Sequence, residues 1–423
     1  MTFLFYSMLD IKFIRENPEA VKQDLAKKRV PESTISALLK LDEERRDLLQ
    51  KVEALKAQRN QANDQITLAK REGKPVEPLI SAMKSVSQNI ADIDSKMGGL
   101  DINIQDLMIT IPNIPDFSVP EGTSSASNKV VREWGKQSQF AFKPKDHIEL
   151  AQKLGWISFE RAVKLAGSGF SLFQGEGARL VRALMNFMLD LHTKKHGYQE
   201  IWPPILVNTK SMTGTGQLPK MEEDMYRLRD DELYLIPTAE VPVTNIHRDE
   251  ILEGKNLPIK YAAYSPCFRR EAGSYGKDTR GLSRVHQFDK VELVKFVKPE
   301  NALNELELLL KDAEEVLQLL ELPYRVLLLC SGDLSFAAAK CYDLEIYAPG
   351  MGRWFEVSSC SAFGDFQARR MNIKYKSENG KTQFVHTLNG SGVAFARTIL
   401  CLLENHQQAD GSIRFPEALK KYL

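Results

Sequence analysis

The sequence predicts an α+β protein in which a pair of long N-terminal helices precedes an antiparallel β-sheet flanked by helices. Three observations support this prediction. Apolar residues recur with heptad spacing before residue 110, strand-like runs alternate with amphipathic helices after residue 140, and the last third of the chain contains hairpins. The length of 423 residues exceeds one ordinary core, so two or three domains are expected.

A helical hairpin is expected over about residues 32–108. Heptad-spaced rows predict one helix, and a second is predicted after a polar break at residues 71–75. The first helix has two rows. One is Leu38, Arg45, Val52, Arg59 and Ile66, and the other is Leu41, Leu48, Leu55, Ala62 and Ala69. The row of the second helix is Leu79, Met83, Val86, Ile90, Ile93, Met97, Leu100, Ile104 and Leu107. Facing apolar rows joined by a short turn predict an antiparallel α-helical coiled coil that projects as an arm.

Basic side chains outnumber acidic ones over residues 45–74 of this hairpin. On charge alone, the simpler interpretation is that they solvate the coiled coil. A nucleic-acid-binding surface is the alternative, because Lys and Arg contact phosphate groups. The whole chain does not decide between them, since 57 Lys and Arg nearly balance 56 Asp and Glu.

Residues 1–111 are expected to form the N-terminal domain, and residues 141–423 a second domain. Residues 112–140 between them are rich in Pro, Ser and Gly, which predicts a linker. The first seven residues are interpreted as an extension upstream of a start at Met8.

Cysteine usage and hydropathy restrict the compartment. Five cysteines without a C-x-x-C pair argue against a disulfide framework and against a structural zinc site. The N-terminus lacks the features of a signal peptide, and no apolar run reaches membrane-spanning length. We therefore expect a soluble, untargeted protein of the reducing cytoplasm, without membrane contact.

The second domain is expected to be built on an antiparallel sheet. Helical patterns at residues 180–191 and 303–320 alternate with strand-like runs. These runs lie at residues 233–236, 261–268, 291–296, 343–347, 354–359 and 383–389. A Pro-Gly turn at residues 349–352 makes a hairpin, which favours antiparallel pairing over a doubly wound parallel sheet.

Three segments of this domain resemble the motifs of class II aminoacyl-tRNA synthetases. Residues 196–206 resemble motif 1, residues 261–292 motif 2 and residues 383–400 motif 3. Three shorter patterns are similar to the seryl branch: T-x-E at residues 238–240, H-Q-F-D-K-V-E at residues 286–292, and E-V-S-S at residues 356–359. With the helical hairpin, the chain resembles the seryl-tRNA synthetase family along nearly its whole length.

The resemblance implies an enzyme that activates L-serine with ATP and loads it onto the 3′ end of serine tRNA. It implies a homodimer joined near Pro204 of motif 1, in which the helical arm grips the long extra arm of the tRNA. Bacterial selenocysteine tRNA shares that arm, so its serylation is implied as well. Magnesium would accompany ATP as the cofactor.

Arginine suits the implied activation step, because its planar fork binds carboxylate and phosphate groups and stays charged. The carboxylate of the amino acid itself attacks the α-phosphate, so the step needs positioning and charge stabilisation but no general base. By resemblance, Arg269 bridges the serine carboxylate and the α-phosphate, and Arg397 clamps the terminal phosphates. With Glu356 they form the implied catalytic set.

The resemblance also assigns residues to ATP, magnesium and serine. The set implied for ATP is Arg269, Arg270, Glu271, Val285, Phe288, Glu356, Val357, Ser358, Ser359 and Arg397. Glu356 and Ser359 would also hold Mg²⁺, since oxygen ligands suit that hard cation. The set implied for serine is Thr238, Ala239, Glu240, Arg269, Glu292, Asn389 and Ser391. Glu240 and Glu292 would accept hydrogen bonds from the ammonium and the hydroxyl, which should favour serine over alanine by about 10⁴-fold.

Alternative functions remain open at this stage. A threonyl- or prolyl-type synthetase, and a ligase that charges a carrier-protein thiol, are disfavoured by the helical arm. An inactive scaffold is disfavoured by Arg269, Glu356 and Arg397. His192 and His196 could share a helix face as metal ligands, although no third ligand is evident.

Some residues also have simpler interpretations. Phe288 could belong to the sheet core, and Arg280 and Arg284 could be surface charges instead of contacts to the γ-phosphate or the tRNA. The chain departs from the family where Ala396 replaces a frequent glycine, and where Tyr275 and Lys277 replace a small residue and an arginine. Differences are expected in packing beneath ATP and in the motif 2 loop.

Overall fold

The computed structural model describes residues 9–273 and 280–423. These residues form two compact units, divided between Pro112 and Asn113. The predicted upstream extension lies outside the described residues, as do Tyr275 and Lys277 of the predicted motif 2 loop. Within the described residues, no helix is both long and apolar enough to cross a membrane.

The N-terminal unit is helical. Its helices are α1 (Ile11–Glu16), α2 (Pro18–Ala26), α3 (Glu32–Arg71) and α4 (Glu77–Thr110). All residues of the predicted heptad rows are buried or half-buried along α3 and α4. The turn between the two helices contains Gly73 with φ +69°, a left-handed conformation that glycine adopts without steric cost. The predicted helical hairpin is confirmed.

Contacts between α3 and α4 fix their direction. Val52, which is 2% exposed, packs with Val86 and Ile90. Nearer the start of α3, Arg45 forms an ion pair with Asp101, nearer the end of α4. Residues later in α3 therefore contact residues earlier in α4, so the two helices run antiparallel.

The C-terminal unit is built around one large sheet. The strands of the unit are β1 (Lys129–Trp134), β2 (Ile157–Ser158), β3 (Leu172–Phe173), β4 (Gln199–Ile201), β5 (Leu206–Asn208), β6 (Tyr226–Arg227), β7 (Leu233–Leu235), β8 (Ile251–Glu253), β9 (Ile259–Phe268), β10 (Gln287–Val297), β11 (Tyr324–Leu328), β12 (Lys340–Ala348), β13 (Arg353–Ala362), β14 (Lys374–Lys376), β15 (Thr382–Phe384) and β16 (His386–Ala394). The large sheet has the order β1-β11-β12-β13-β16-β10-β9-β4. Its neighbours pair antiparallel apart from β4 and β9, which are parallel.

Helices flank this sheet. The α-helices of the unit are α5 (His147–Leu154), α6 (Phe159–Ala166), α7 (Glu176–Lys194), α8 (Thr209–Thr215), α9 (Glu240–Thr244), α10 (Ala302–Leu319), α11 (Phe366–Met371), α12 (Phe395–His406) and α13 (Glu417–Lys420). Short 3₁₀ helices span Ser125–Ser127, Glu222–Asp224, Asn245–His247, Gly254–Asn256 and Pro299–Asn301. α7, α10 and α12 pack against the large sheet and bury a common apolar core. The predicted α+β class, with an antiparallel sheet flanked by helices, is confirmed.

The linker predicted at residues 112–140 is wrong in part. Lys129–Trp134 form β1, an edge strand of the large sheet that pairs antiparallel with β11. The side-chain amide of Asn113 is buried, and it donates to the carbonyls of Ala337 and Phe363 at 2.9 and 2.7 Å. Composition was misleading because every residue of β1 is exposed, so the apolar alternation that marks a half-buried strand is absent.

Candidate active site

A cavity of about 610 Å³ opens on the large sheet of the C-terminal unit. The predicted site residues in its lining are Thr238, Glu240, Arg269, Glu271, Val285, Phe288, Glu356, Val357, Ser358, Ser359, Asn389, Ser391 and Arg397. Three predicted residues within the described ranges lie outside this lining. Ala239 and Glu292 are fully buried, and Arg270 is exposed.

Two buried carboxylates are joined by one side-chain amide. Asn389 Nδ2 donates to Glu240 Oε2 at 3.1 Å and to Glu292 Oε1 at 2.8 Å. Burial and then the neighbouring charge of Glu292 raise the pKa of Glu240 to about 7. Near neutral pH the Glu240 carboxyl is therefore partly ionised, and its negative charge at this end of the cavity suits a small cationic ligand.

Lys290 is a buried cation beside these carboxylates, and sequence reasoning missed it. Its Nζ donates to Thr238 Oγ1 at 2.9 Å and lies 2.6 Å from Glu292 Oε2. The contact with Glu292 is an ion pair without the alignment of a hydrogen bond, so among the described residues Oε2 has no hydrogen-bond partner. A signal was present in the sequence, because period-2 alternation puts Lys290 on the strand face of Phe288 and Glu292.

Gln367 is a second buried group that sequence reasoning missed. This fully buried side chain on α11 donates from Nε2 to Glu240 Oε1 at 2.7 Å and accepts at Oε1 from Thr387 Oγ1 at 2.8 Å. Glu240 is therefore held at both carboxylate oxygens, by Gln367 and by Asn389. Nothing in the F-Q-A-R-R segment indicates this role, since a lone Gln on a short helix is ordinarily exposed.

Arg269 follows directly after β9 and forms part of the cavity wall. The centre of its guanidinium lies 5.1 Å from the centroid of the Phe288 ring, and its Nε donates to the carbonyl of Pro237 at 3.3 Å. Its backbone N–H donates to the carbonyl of His286 at 2.9 Å, which closes the strand pair around it. A cation stacked on an aromatic face keeps its orientation without a neutralising carboxylate.

An ion pair spans the base of the motif 2 loop. Arg284 Nη1 lies 2.5 Å from Glu271 Oε2, and both side chains are mostly buried. Glu271 has φ +53°, a left-handed conformation that is uncommon for residues other than glycine. Arg284 is therefore engaged with a predicted site residue and is not a free surface charge. The loop residues 274–279 lie outside the described part of the chain.

A shift of register between β12 and β13 shapes another wall of the cavity. Ser359 lies opposite Asp343, but Glu356 lies opposite Glu345, because the ladder shifts between Leu344 and Glu345. Side chains directly opposite in a ladder share a face, so Glu356 and Ser359 face the same side although they are three residues apart. In a regular strand that spacing would separate them. Both line the cavity, together with Asp343.

β16 carries a similar shift against β10. Ser391 lies opposite Glu292, whereas Ala394 lies opposite Lys290, so β16 has one residue more than its partner over this stretch. Val393 within the stretch has φ +98°, which is strained for a β-branched residue. The extra residue keeps Ser391 and Ala394 on the face that lines the cavity.

Arg397 in the first turn of α12 connects two of the predicted motifs. Its Nε donates to the carbonyl of Ser283 at 3.1 Å, and its Nη1 donates to the carbonyl of Glu356 at 2.8 Å. The Glu356 carboxylate oxygen Oε2 is 3.4 Å from the same Nη1. Ala396, where a glycine was expected, is buried and lies in the cavity lining.

His192 and His196 form a hydrogen-bonded pair. Their Nδ1 atoms are 3.0 Å apart, and His196 Nε2 lies 3.0 Å from Glu315 Oε2. Burial and then the neighbouring His196 lower the pKa of His192 to about 3. In the described ranges, no group of three or more His, Cys, Asp or Glu side chains is arranged to hold a metal ion.

An antiparallel sheet with a cavity lined by Arg269, Arg397, Glu356 and Ser359, beside the buried carboxylates of Glu240 and Glu292, is the arrangement expected of a class II aminoacyl-tRNA synthetase core. The chain matches the family "tRNA synthetase class II core domain (G, H, P, S and T)" over residues 222–406 and "Seryl-tRNA synthetase N-terminal domain" over residues 8–115. It is 55% identical over 416 residues, 98% of each chain, to a "Serine--tRNA ligase" of Pelotomaculum thermopropionicum. The chain belongs to the seryl-tRNA synthetase family, as predicted.

Solved structures are similar to this fold. The seryl-tRNA synthetase from Pyrococcus horikoshii complexed with ATP is 39% identical, with a TM-score of 0.94 and coverage of 98% of each chain. The M. kandleri SerRS in complex with A. aeolicus tRNASec is 22% identical, with a TM-score of 0.59 over 79% of this chain and 68% of that one. The second likeness is one of fold alone.

Proposed function

We propose that the protein activates L-serine with ATP and transfers the seryl group to the 3′ end of serine tRNA. The observation that carries this proposal is the network in which Asn389 joins Glu240 and Glu292. Asn389 and Glu240 line the same cavity as Arg269, and Glu292 is buried next to them. Serine has one ammonium, one hydroxyl and one carboxylate. The two glutamates complement the first two groups, and the arginine complements the third.

In the first half-reaction, a carboxylate oxygen of serine attacks the α-phosphate of ATP and the bond to pyrophosphate breaks. Arg269 attracts both anionic reactants and offsets the negative charge that accumulates between them. Its stacking on Phe288 orients it before the substrates bind. In the second half-reaction, a ribose hydroxyl of the tRNA attacks the seryl carbonyl, and AMP leaves.

Serine selectivity is proposed to depend on Glu240, Glu292, Thr238 and Ser391. Without a ligand, Asn389 satisfies one oxygen of each carboxylate. The serine ammonium would replace the Asn389 amide as the donor to one of these carboxylates, and the serine hydroxyl would donate to a second acceptor. Alanine would leave that acceptor unpaired in a buried site, which is costly. Fully buried Ala239 would support the wall beside them.

ATP is proposed to lie along the arginine-rich side of the cavity. Phe288 would offer a ring face for adenine, and Glu271 and Val285 line the cavity near it. The neighbouring Arg270, which is exposed outside this lining, would approach the nucleotide from the rim. Arg397 would clamp the terminal phosphates. Val357 and Ser358 would form the floor, and Ser358 Oγ ties β13 to β16 by donating to the carbonyl of Ser391 at 2.6 Å.

Magnesium is the proposed cofactor, and the residues present fit it. Glu356 and Ser359 offer a carboxylate and a hydroxyl on one sheet face, and hard divalent cations take oxygen ligands. The Glu356 side chain is 45% exposed, so it is open to a ligand. When bound, Mg²⁺ would neutralise charge on the phosphate oxygens.

The N-terminal unit is proposed to be the tRNA-binding domain. Basic side chains of the α3–α4 hairpin between Arg45 and Lys74 would contact phosphates, so binding should weaken as salt rises. Recognition of a long extra arm by shape would extend the activity to selenocysteine tRNA.

A homodimer is proposed to form through the motif 1 segment. Trp202 in this segment is 70% exposed, and Ile205 and Leu206 are 37% and 38% exposed. Several exposed apolar side chains within one short segment suit a surface that a second copy covers. The five cysteines are buried free thiols, which suits a reducing compartment, and we place the enzyme in the cytoplasm.

Amino-acid-dependent exchange between ATP and pyrophosphate tests this proposal before tRNA is added. We expect exchange with serine but not with alanine, threonine or proline, and its loss in a Glu292→Ala variant. Glu253→Ala, which changes an exposed strand carboxylate, is the matched control. Exchange with another amino acid, or none in folded protein, would contradict the proposal. Exchange with serine but no charging of tRNA would favour a carrier-protein ligase.

A further inference from the structure

A fully buried histidine–glutamate pair lies outside the predicted site. His147 begins α5 and Glu404 lies on α12, and both side chains are 0% exposed. Glu404 Oε1 accepts from the backbone N–H of His147 at 2.9 Å and lies 3.0 Å from His147 Nδ1. Its Oε2 accepts from the backbone N–H groups of Gly350 and Met351 at 2.8 and 3.0 Å. Both carboxylate oxygens are therefore held by donors from two other segments, residue 147 and residues 350–351.

The partners of His147 define its protonation. Nε2 accepts a hydrogen bond from the backbone N–H of Leu282 at 3.0 Å, so this nitrogen carries a lone pair. Nδ1 faces the Glu404 carboxylate and must be the protonated nitrogen. Glu404 thus holds a neutral imidazole in the one tautomer that can accept from Leu282.

The segment that His147 contacts lies within motif 2, just before β10 begins at Gln287. Leu282 lies in the cavity lining and is followed by Ser283, Arg284 and Val285, which also line it. Gly281 packs against the imidazole so closely that an added Cβ would lie 2.1 Å from His147 Nε2. Its φ of +63° is also one that glycine adopts freely.

Helix α12 therefore holds two consecutive residues of this segment. Arg397 reaches the carbonyl of Ser283 directly, at 3.1 Å. Glu404, two helical turns further along, reaches the N–H of Leu282 through His147. Of the two links, the one through Arg397 uses a side chain proposed to engage phosphates.

We propose that His147 is a positioning residue that keeps the segment 282–285 in place to receive ATP. The inference rests on the proposed function, because it assigns that segment to the nucleotide. When Arg397 turns to the phosphates, the link through His147 and Glu404 remains and preserves the adenine-facing wall. Loss of this link should weaken ATP binding and leave serine binding unchanged, since the serine network lies on other elements.

Two substitutions separate the two hydrogen bonds of the ring. In His147→Asn, the side-chain Nδ2 occupies the position of the ring Nδ1, so it can donate to Glu404 but offers no acceptor to Leu282. In His147→Gln, Oε1 reaches the position of the ring Nε2 and restores that acceptor. We expect the Asn variant to weaken binding of Mg-ATP by about tenfold, and the Gln variant to bind within about threefold of the parent.

Calorimetry with Mg-ATP in the absence of serine measures this binding directly. Exchange kinetics should show the same rise in KM for ATP, with KM for serine and kcat changed less than twofold. His406→Gln is the matched control, because this buried histidine of α12 contacts the carbonyl of Leu320 and not the segment 282–285. Its ATP binding should equal that of the parent.

Gly281→Ala tests the same contact from the other side, should His147→Asn not fold. Its added Cβ would push the segment away from the imidazole, so this variant should weaken ATP binding as well. The double variant of Gly281→Ala and His147→Asn should bind ATP no more weakly than whichever single variant binds it more weakly. Equal binding in the Asn and Gln variants, or an equal rise in KM for serine, would overturn the inference. Unchanged ATP binding in His147→Asn refutes this inference alone, whereas absence of serine-dependent exchange in the parent protein refutes the proposed function.

Discussion

Replacement of Lys290 by methionine should destabilise the C-terminal unit more than any exposed lysine substitution. Lys290 and Glu292 are paired at 2.6 Å, with side chains only 7% and 0% exposed. Methionine is unbranched and of similar length, so it keeps the packing of the stem and removes the charge. What remains is a buried carboxylate without its cation.

The magnitude follows from the geometry of the pair. Two unit charges 2.6 Å apart attract by about 6 kcal/mol at an effective dielectric constant of about 20. Part of this attraction is offset, because the variant no longer has to bury a charged lysine. Removal of one partner of a buried ion pair lowers the free energy of unfolding by about 3 to 5 kcal/mol in practice. We expect the free energy of unfolding to fall by about 3 kcal/mol, which corresponds to a fall in Tm of about 6 °C for a unit of this size.

Scanning calorimetry at one fixed scan rate measures the change. The control is Lys298→Met, since Lys298 pairs at 3.6 Å with Glu378, whose side chain is 91% exposed, and such pairs contribute about 0 to 1 kcal/mol. Adding Glu292→Gln to Lys290→Met should recover part of the loss, because it removes the orphaned charge. Equal Tm values for the two lysine variants, or a further fall in the double variant, would refute the reasoning.

Three further predictions concern the serine end of the cavity and the helical hairpin. The kcat/KM for serine should fall as pH drops below about 7, because protonation of Glu240 removes the acceptor for the ammonium, and Glu240→Gln should abolish this inflection in exchange assays from pH 6 to 8.5. Gln367→Leu should raise KM for serine by about tenfold at unchanged KM for ATP, since Glu240 loses a buried donor; an equal change in both constants would argue against a local role. Val52→Asp should lower the free energy of unfolding of the hairpin by about 3 kcal/mol, because it buries a carboxylate among apolar side chains. The helical circular dichroism signal should then be lost in part at a lower temperature than in the parent, while serine-dependent exchange persists.

The sequence predicted the helical hairpin accurately because the problem is local. Apolar residues with heptad spacing, such as Leu38 and Val52, have one face to bury, and two such helices joined by a short turn have one simple way to bury it. The edge strand β1 had no comparable signal. None of its side chains is buried, and its place is set by backbone pairing with β11, which leaves no trace in composition.

The candidate site was predicted through resemblance, and its geometry depends on features that local propensity does not encode. Val393 has φ +98°, although β-branched residues disfavour positive φ, so propensity argues against the irregularity where it occurs. Pairing with β10 overrides that preference. Gln367 and His147 are similar cases, because each acquires its role from partners more than a hundred residues away in sequence.

The register shift between β12 and β13 constrains the length of the chain as well as its composition. The three-residue spacing of Glu356 and Ser359 places both on one face only while β13 keeps its additional residue. Inserting one residue between Leu344 and Glu345 of β12 would restore a regular ladder with three residues on each strand, and would turn the two oxygen ligands to opposite sides of the sheet. Deleting Val357 would instead leave Glu356 and Ser359 two residues apart, a spacing that also shares a face. The deletion should therefore be tolerated far better than the insertion, and a library of single-residue insertions and deletions would map this limit as sharply as any catalytic substitution.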